Sequence, residues 1–126
     1  MRRIALILVA SLACLAPAAA AHAATSPSHT VRVAACSENW TGFVTPSQNN
    51  GSVVWNSNSC SWQIRVDLRC VNSRLGLVTH AYGGWVRAVG LHSGATCPSA
   101  EPVMTDAYAQ YRVGSGSPIT TVRYWT

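Results

Sequence analysis

Two histidines and two aspartates are the side chains of this chain best suited to acid–base chemistry. His80 lies in a strand-like stretch and His92 at the end of one, and Asp67 or Asp106 can supply the carboxylate. A carboxylate-oriented imidazole is a general acid and base. Arg65 or Arg87 would add a phosphate clamp, completing the minimum set of a small secreted ribonuclease. The simpler reading is surface histidines and ordinary charge pairs. Downstream of Ala23 the chain carries only four carboxylates: Glu38, Asp67, Glu101 and Asp106. It has no G-x-S-x-G, and without lysine no Ser-x-x-Lys. Gly114-Ser115-Gly116 precedes a strand pattern rather than a helix, so it is not a phosphate loop. The residue set points away from catalysis, and no catalytic residue is assigned.

Cysteines offer a different chemistry. Cys36, Cys60, Cys70 and Cys97 allow three pairings. Cys60 to Cys70 reads as one extended strand whose ends would lie ~33 Å apart at ~3.3 Å per residue. A disulfide needs Cα atoms within about 7 Å, so these two do not pair. Closing the shorter loops favours Cys36–Cys60 with Cys70–Cys97 over Cys36–Cys70 with Cys60–Cys97. Each bridge should stabilise by about 3–4 kcal/mol. No C-x-x-C is present, so no metal and no cofactor is expected.

Aromatics and a proline-bearing loop are the candidate binding groups. Cys97-Pro98-Ser99-Ala100-Glu101-Pro102 lies in the longest irregular stretch, from His92 to Thr105. Tyr108 and Tyr111 fall on opposite faces of one strand pattern, as do Tyr124 and Trp125. One of each pair should face solvent, where an exposed ring beside an arginine suits protein or sugar recognition. The candidate binding set is therefore Pro98, Ser99, Ala100, Tyr108, Tyr124 and Trp125.

The elements that must position these groups are strands. Cys60, Trp62, Ile64, Val66, Leu68 and Cys70 alternate with Ser61, Gln63, Arg65, Asp67 and Arg69, the period-2 pattern of a half-buried strand. Its Arg-Asp-Arg face should meet water. Further strands are expected over Trp40–Thr45, Ser52–Trp55, Leu77–Ala81, Trp85–Leu91, Ala107–Val113 and Ile119–Trp125. Asn50-Gly51 is a hairpin turn signal. No stretch keeps a helical period with caps. The fold class is all-β: a small antiparallel β-sandwich or barrel stapled by two disulfides.

Residues 1–23 read as a signal peptide, with Arg2-Arg3, an apolar run from Ile4 to Leu15, and the cleavage signal Ala21-His22-Ala23. Residues 24–35 read as a flexible leader and 36–126 as the secreted domain. Cleavage leaves seven arginines against four acids, a net charge of +3. With no Lys/Arg run, no nucleic-acid partner is expected. No membrane association is expected after cleavage, and the domain should be a monomer in the extracellular space.

The Arg2-Arg3 signal, the paired cysteines, His80-Ala81-Tyr82-Gly83-Gly84-Trp85-Val86-Arg87 and the Tyr124-Trp125 ending resemble small secreted actinobacterial proteins of uncharacterised function. That resemblance implies compartment and size, not chemistry. The layout is also loosely similar to that of secreted α-amylase inhibitors, small sandwiches with two sequential disulfides. Their Trp-Arg-Tyr triplet is here only permuted, as Arg123-Tyr124-Trp125. Residues 97–102 resemble the Cys-Pro reactive loop of secreted subtilisin inhibitors over six positions. The expected function is a secreted non-enzymatic binding module for an extracellular protein or glycan, such as an inhibitor of an extracellular hydrolase. The alternatives are a small hydrolase of the ribonuclease kind and a cell-envelope or antagonism protein.

Overall fold

The computed structural model describes residues 24–45 and 49–126; the expected signal peptide lies outside the described residues. The alternation seen in the sequence becomes a two-sheet sandwich. No described residue is helical. One sheet contains β1 (Ala24–Thr25), β2 (His29–Val33), β3 (Cys36–Thr45), β4 (Asn50–Asn58) and β7 (His92–Thr96). The other contains β5 (Gln63–Asn72), β6 (Leu77–Tyr82), β8 (Val103–Arg112) and β9 (Thr120–Trp125), in the order β6-β5-β8-β9. Every strand pair is antiparallel.

β5 divides the sandwich. Ile64, Val66, Leu68 and Cys70 are fully buried on its inner side. They pack with Trp40, Val44, Val53 and Trp55 from the facing sheet and with Met104, Ala107, Ala109 and Tyr111 from β8. Gln63, Arg65, Asp67 and Arg69 occupy the other side. The expected solvated stripe is corrected at one position, because Asp67 is only 4% exposed.

Both expected disulfides form, Cys36–Cys60 and Cys70–Cys97, with Cα separations of 5.7 and 5.6 Å. Part of the reasoning behind them is corrected. Cys60 is not in a strand: β5 starts at Gln63, and Ser59–Cys60 form a turn. The Asn58 side chain closes that turn, accepting from the Trp62 amide at 2.8 Å and donating to its carbonyl at 2.8 Å. Ser61 there adopts a φ of 54°.

Three other expectations change. Residues 24–35 are not a flexible leader, because β1 and β2 both pair with β3. His29 stacks on Trp40 with ring centroids 4.1 Å apart, which holds the segment against the core, and burial lowers its imidazole pKa. Trp85–Leu91 is not a strand. Its one ladder contact is Val86 with Ile64, and β7 forms instead at His92–Thr96. Asn50 and Gly51 begin β4 rather than forming the turn.

Tyr124 and Trp125 were expected on opposite faces. A bulge between Ala107 and Tyr108 pairs Ala107 with Trp125 and Tyr108 with Arg123, leaving Tyr124 as the extra residue. Both rings consequently pack against the core. The Tyr124 ring occupies the space that a Cβ on Gly42 would need, and its hydroxyl lies 3.1 Å from the Ser52 carbonyl and 3.3 Å from that of Phe43. Burial pushes the phenol well above its ordinary pKa.

Two outcomes follow for Tyr124. Gly42→Ala should lower unfolding stability by about 1–3 kcal/mol through overpacking, and cost clearly less in a Tyr124→Leu background, read by thermal unfolding. The raised phenol pKa makes its contribution full below pH ~10 and lost as pH rises beyond it. Tyr124→Phe should flatten that alkaline loss.

Candidate functional site

The outer face of the four-stranded sheet collects the polar and aromatic groups. β5 and β8 run in register with Gln63 beside Arg112, Arg65 beside Gln110, Asp67 beside Tyr108 and Arg69 beside Asp106. β6 adds His80 and Tyr82, opposite Arg69 and Asp67. After β6 the chain turns at Gly83. A Cβ there would collide with the Ser93 hydroxyl, which donates to the Gly84 carbonyl at 2.7 Å and accepts from the Val66 amide at 3.2 Å. The Ile64–Val86 bridge then sets Trp85 beside β5.

These groups form two networks, one running from Gln63 to His80 and a separate one around Asp106. The Arg65 guanidinium lies 4.3 Å from the Tyr82 ring centroid and 4.6 Å from that of Trp85. Arg112 lies 4.0 Å from the same indole. Each arginine is tethered through Nε to a neutral acceptor: Arg65 to Gln110 Oε1 at 2.8 Å, and Arg112 to Gln63 Oε1 at 2.7 Å. The Gln110 amide in turn donates to Asp67 Oδ2 at 3.2 Å. His80 Nδ1 meets the other Asp67 oxygen at 2.7 Å. At the far end Asp106 sits between Arg69 at 3.9 Å and Arg123 at 3.4 Å.

The Asp67–His80 pair has the form expected of an oriented imidazole. Asp67 is buried and holds Nδ1, so the ring presents Nε2 outward. His92 differs. Its Nδ1 lies 3.2 Å from Ser52 Oγ and its ring 5.3 Å from that of Phe43, in an open groove of about 650 Å³ on the outside of the other sheet. Among the described residues no carboxylate lines that groove, and none orients the Ser–His pair. Asp106 is occupied by arginines rather than by a histidine. Arg87 donates to the Ser61 carbonyl at 2.7 Å.

The six expected binding residues do not form one surface. Pro98, Ser99 and Ala100 are exposed in a turn after Cys97, tethered where Asn72 donates to the Ala100 carbonyl at 2.8 Å. Tyr108 pairs with Asp67, five residues back along β5 from Asn72, roughly 16 Å at the usual strand rise. Tyr108 is half-buried on the outer face, whereas Tyr124 and Trp125 turn toward the core. The residues that sequence reasoning did not select are Gln63, Gln110, Tyr82, Trp85 and Arg112. For the two glutamines a signal existed: each alternates with core residues on β5 or β8.

Cys36, Glu38 and Cys60 form the grouping of metal-ligand type among the described residues. The two sulfurs are bonded to each other and offer no thiolate. Glu38 is fully buried and accepts from the Cys60 amide at 2.9 Å and the Ser59 hydroxyl at 3.1 Å. It therefore has a structural task beside the bridge.

No protein-family model, no curated protein and no solved structure matches this chain.

The dyad makes a spectroscopic prediction. Neutral His80 should carry its proton on Nδ1, the minor tautomer of free imidazole, in long-range ¹H–¹⁵N spectra recorded at alkaline pH. Asp67→Asn should remove that preference. A ring that keeps the Nε2–H form in the unmutated protein would show that Asp67 does not hold it.

Proposed function

We propose that this protein is a secreted, non-enzymatic binding module that engages an extracellular glycan with the outer face of its four-stranded sheet. Two disulfides in a small β-domain are compatible with the extracellular location, and the Ala21-His22-Ala23 signal supports export. The observation that carries the reading is the pre-assembled platform of Tyr82 and Trp85 with Arg65. Tyr82 is 51% exposed. Arg65 covers one face of each ring, so a sugar would meet the exposed remainder of Tyr82 and the planar guanidinium groups, while Gln63, Gln110, His80 and the arginines supply hydrogen-bond groups of both kinds. Because glutamine tethers and cation–π contacts already fix these side chains, little rotamer freedom remains to be lost on binding.

This reading moves the binding surface from the loop after Cys97 to the sheet. It retains Tyr108 from the expected set. The inhibitor version would instead use Pro98, Ser99 and Ala100, which the second disulfide and Asn72 hold at one end.

The Asp67–His80 pair favours one second reading, a small hydrolase of the ribonuclease kind. A buried aspartate orients an imidazole within a face that bears four arginines, a set suited to phosphodiester cleavage.

Affinity electrophoresis through gels holding soluble polysaccharides tests the proposal. Retardation by at least one polysaccharide is expected, and Trp85→Ala should weaken it at least tenfold. Absence of retardation across neutral and acidic polymers would sink the glycan reading. Cleavage of RNA that His80→Ala abolishes and His92→Ala spares would establish the hydrolase in its place.

A further inference from the structure

Resting on the glycan reading, we propose that Arg65 and Arg112 form an oxyanion cradle that selects polysaccharides bearing acidic substituents, either sulfate esters or uronate carboxylates. Both guanidinium groups lie over a single indole, that of Trp85, at 4.6 and 4.0 Å. Their separation is therefore below one Debye length at 0.1 M salt, about 10 Å, so they repel each other with little screening.

Neither makes an ion pair with any carboxylate among the described residues. This is unlike Arg69 and Arg123 on the same face, which share Asp106. The nearby acid, Asp67, is already taken. His80 occupies one oxygen and the Gln110 amide the other, so Gln110 stands between Arg65 and the charge that would neutralise it. Both arginines spend Nε on a neutral glutamine oxygen, and their Nη groups make no hydrogen bond within the described residues.

The result is two fixed guanidinium groups with free donors, no carboxylate partner among the described residues and an aromatic floor. Planar forks of this kind match the oxygens of a sulfate or carboxylate. Tyr82, half exposed beside the same donors, offers apolar contact to the sugar that carries the substituent.

The test compares dextran sulfate, polygalacturonate and unmodified dextran by isothermal titration calorimetry at 50 and 200 mM salt. At least one acidic polymer should bind tenfold or more tightly than dextran. The better of the two identifies the tetrahedral or the planar substituent. Arg65→Gln and Arg112→Gln should each remove most of that preference, whereas Arg74→Gln, in the exposed β5–β6 turn, should leave it intact. Arg65→Lys keeps the charge and loses the fork, so it should fall between. Thermal unfolding confirms that each variant is folded. Equal affinity for dextran and its acidic counterparts would overturn the cradle while leaving the glycan reading in place. No binding to any polysaccharide would overturn both. Equal weakening by Arg74→Gln would reduce the effect to net charge, and tighter binding of RNA than of every polysaccharide would reassign the face to polynucleotides.

Discussion

The register of β5 is the constraint on which the molecule rests. Its inner residues, Ile64 to Cys70, fill the centre of the core, and its outer residues, Gln63 to Arg69, build the candidate site. A slip of one residue would exchange the two sets. Two neighbours hold the register, β6 and β8, and the Cys70–Cys97 bridge fastens it at one end. At the other end the Asn58 side chain clamps Trp62 just before the strand begins. Site and core are thus two sides of one backbone, and a change that loosens packing near Leu68 will also disturb Arg65 and Asp67.

The outer face shows how charges are held apart as well as together. Arg69 and Arg123 share Asp106, and Asp67 is paired with His80. Glutamines, not carboxylates, position Arg65 and Arg112. Replacing Gln110 by glutamate would pair Arg65 and stabilise the free protein locally, but it would also bring two carboxylates together at Asp67. The neutral amide avoids that repulsion and leaves the arginine charge available. The Ser52–His92 pair across the molecule lacks this support, since no carboxylate among the described residues lines its groove.

Much of the fold was legible because strand alternation and cysteine spacing are local signals. β5 was readable from Ile64 to Cys70, and both bridges were reached by strand length and loop length, although the strand does not extend to Cys60. The errors have specific causes. Cys60 continued the alternation by sequence, yet the Asn58 side chain turned the chain there. β2 alternates Thr30 and Arg32 with Val31 and Val33 over only five residues, and its place depends on pairing with β3 and on His29 stacking on Trp40, both tertiary contacts. The bulge that turns Tyr124 inward depends on β8 pairing, which no local pattern announces. Of the site, Asp67, His80 and Arg65 were legible from their chemistry, and Tyr108 because it lies on the face opposite Tyr111. Trp85 was not, since an irregular segment delivers it, and the two glutamines carry no chemistry of their own until the register sets them beside arginines.

The proposed recognition surface is formed by the outward side chains of β5 and β8 with Tyr82 and Trp85. Chemical-shift mapping with a soluble acidic oligosaccharide tests it. The Nε–H signals of Arg65 and Arg112 and the indole N–H of Trp85 should shift together with a single saturation curve. Shifts confined to the residues around Pro98, Ser99 and Ala100, or to the groove of Ser52 and His92, would contradict it.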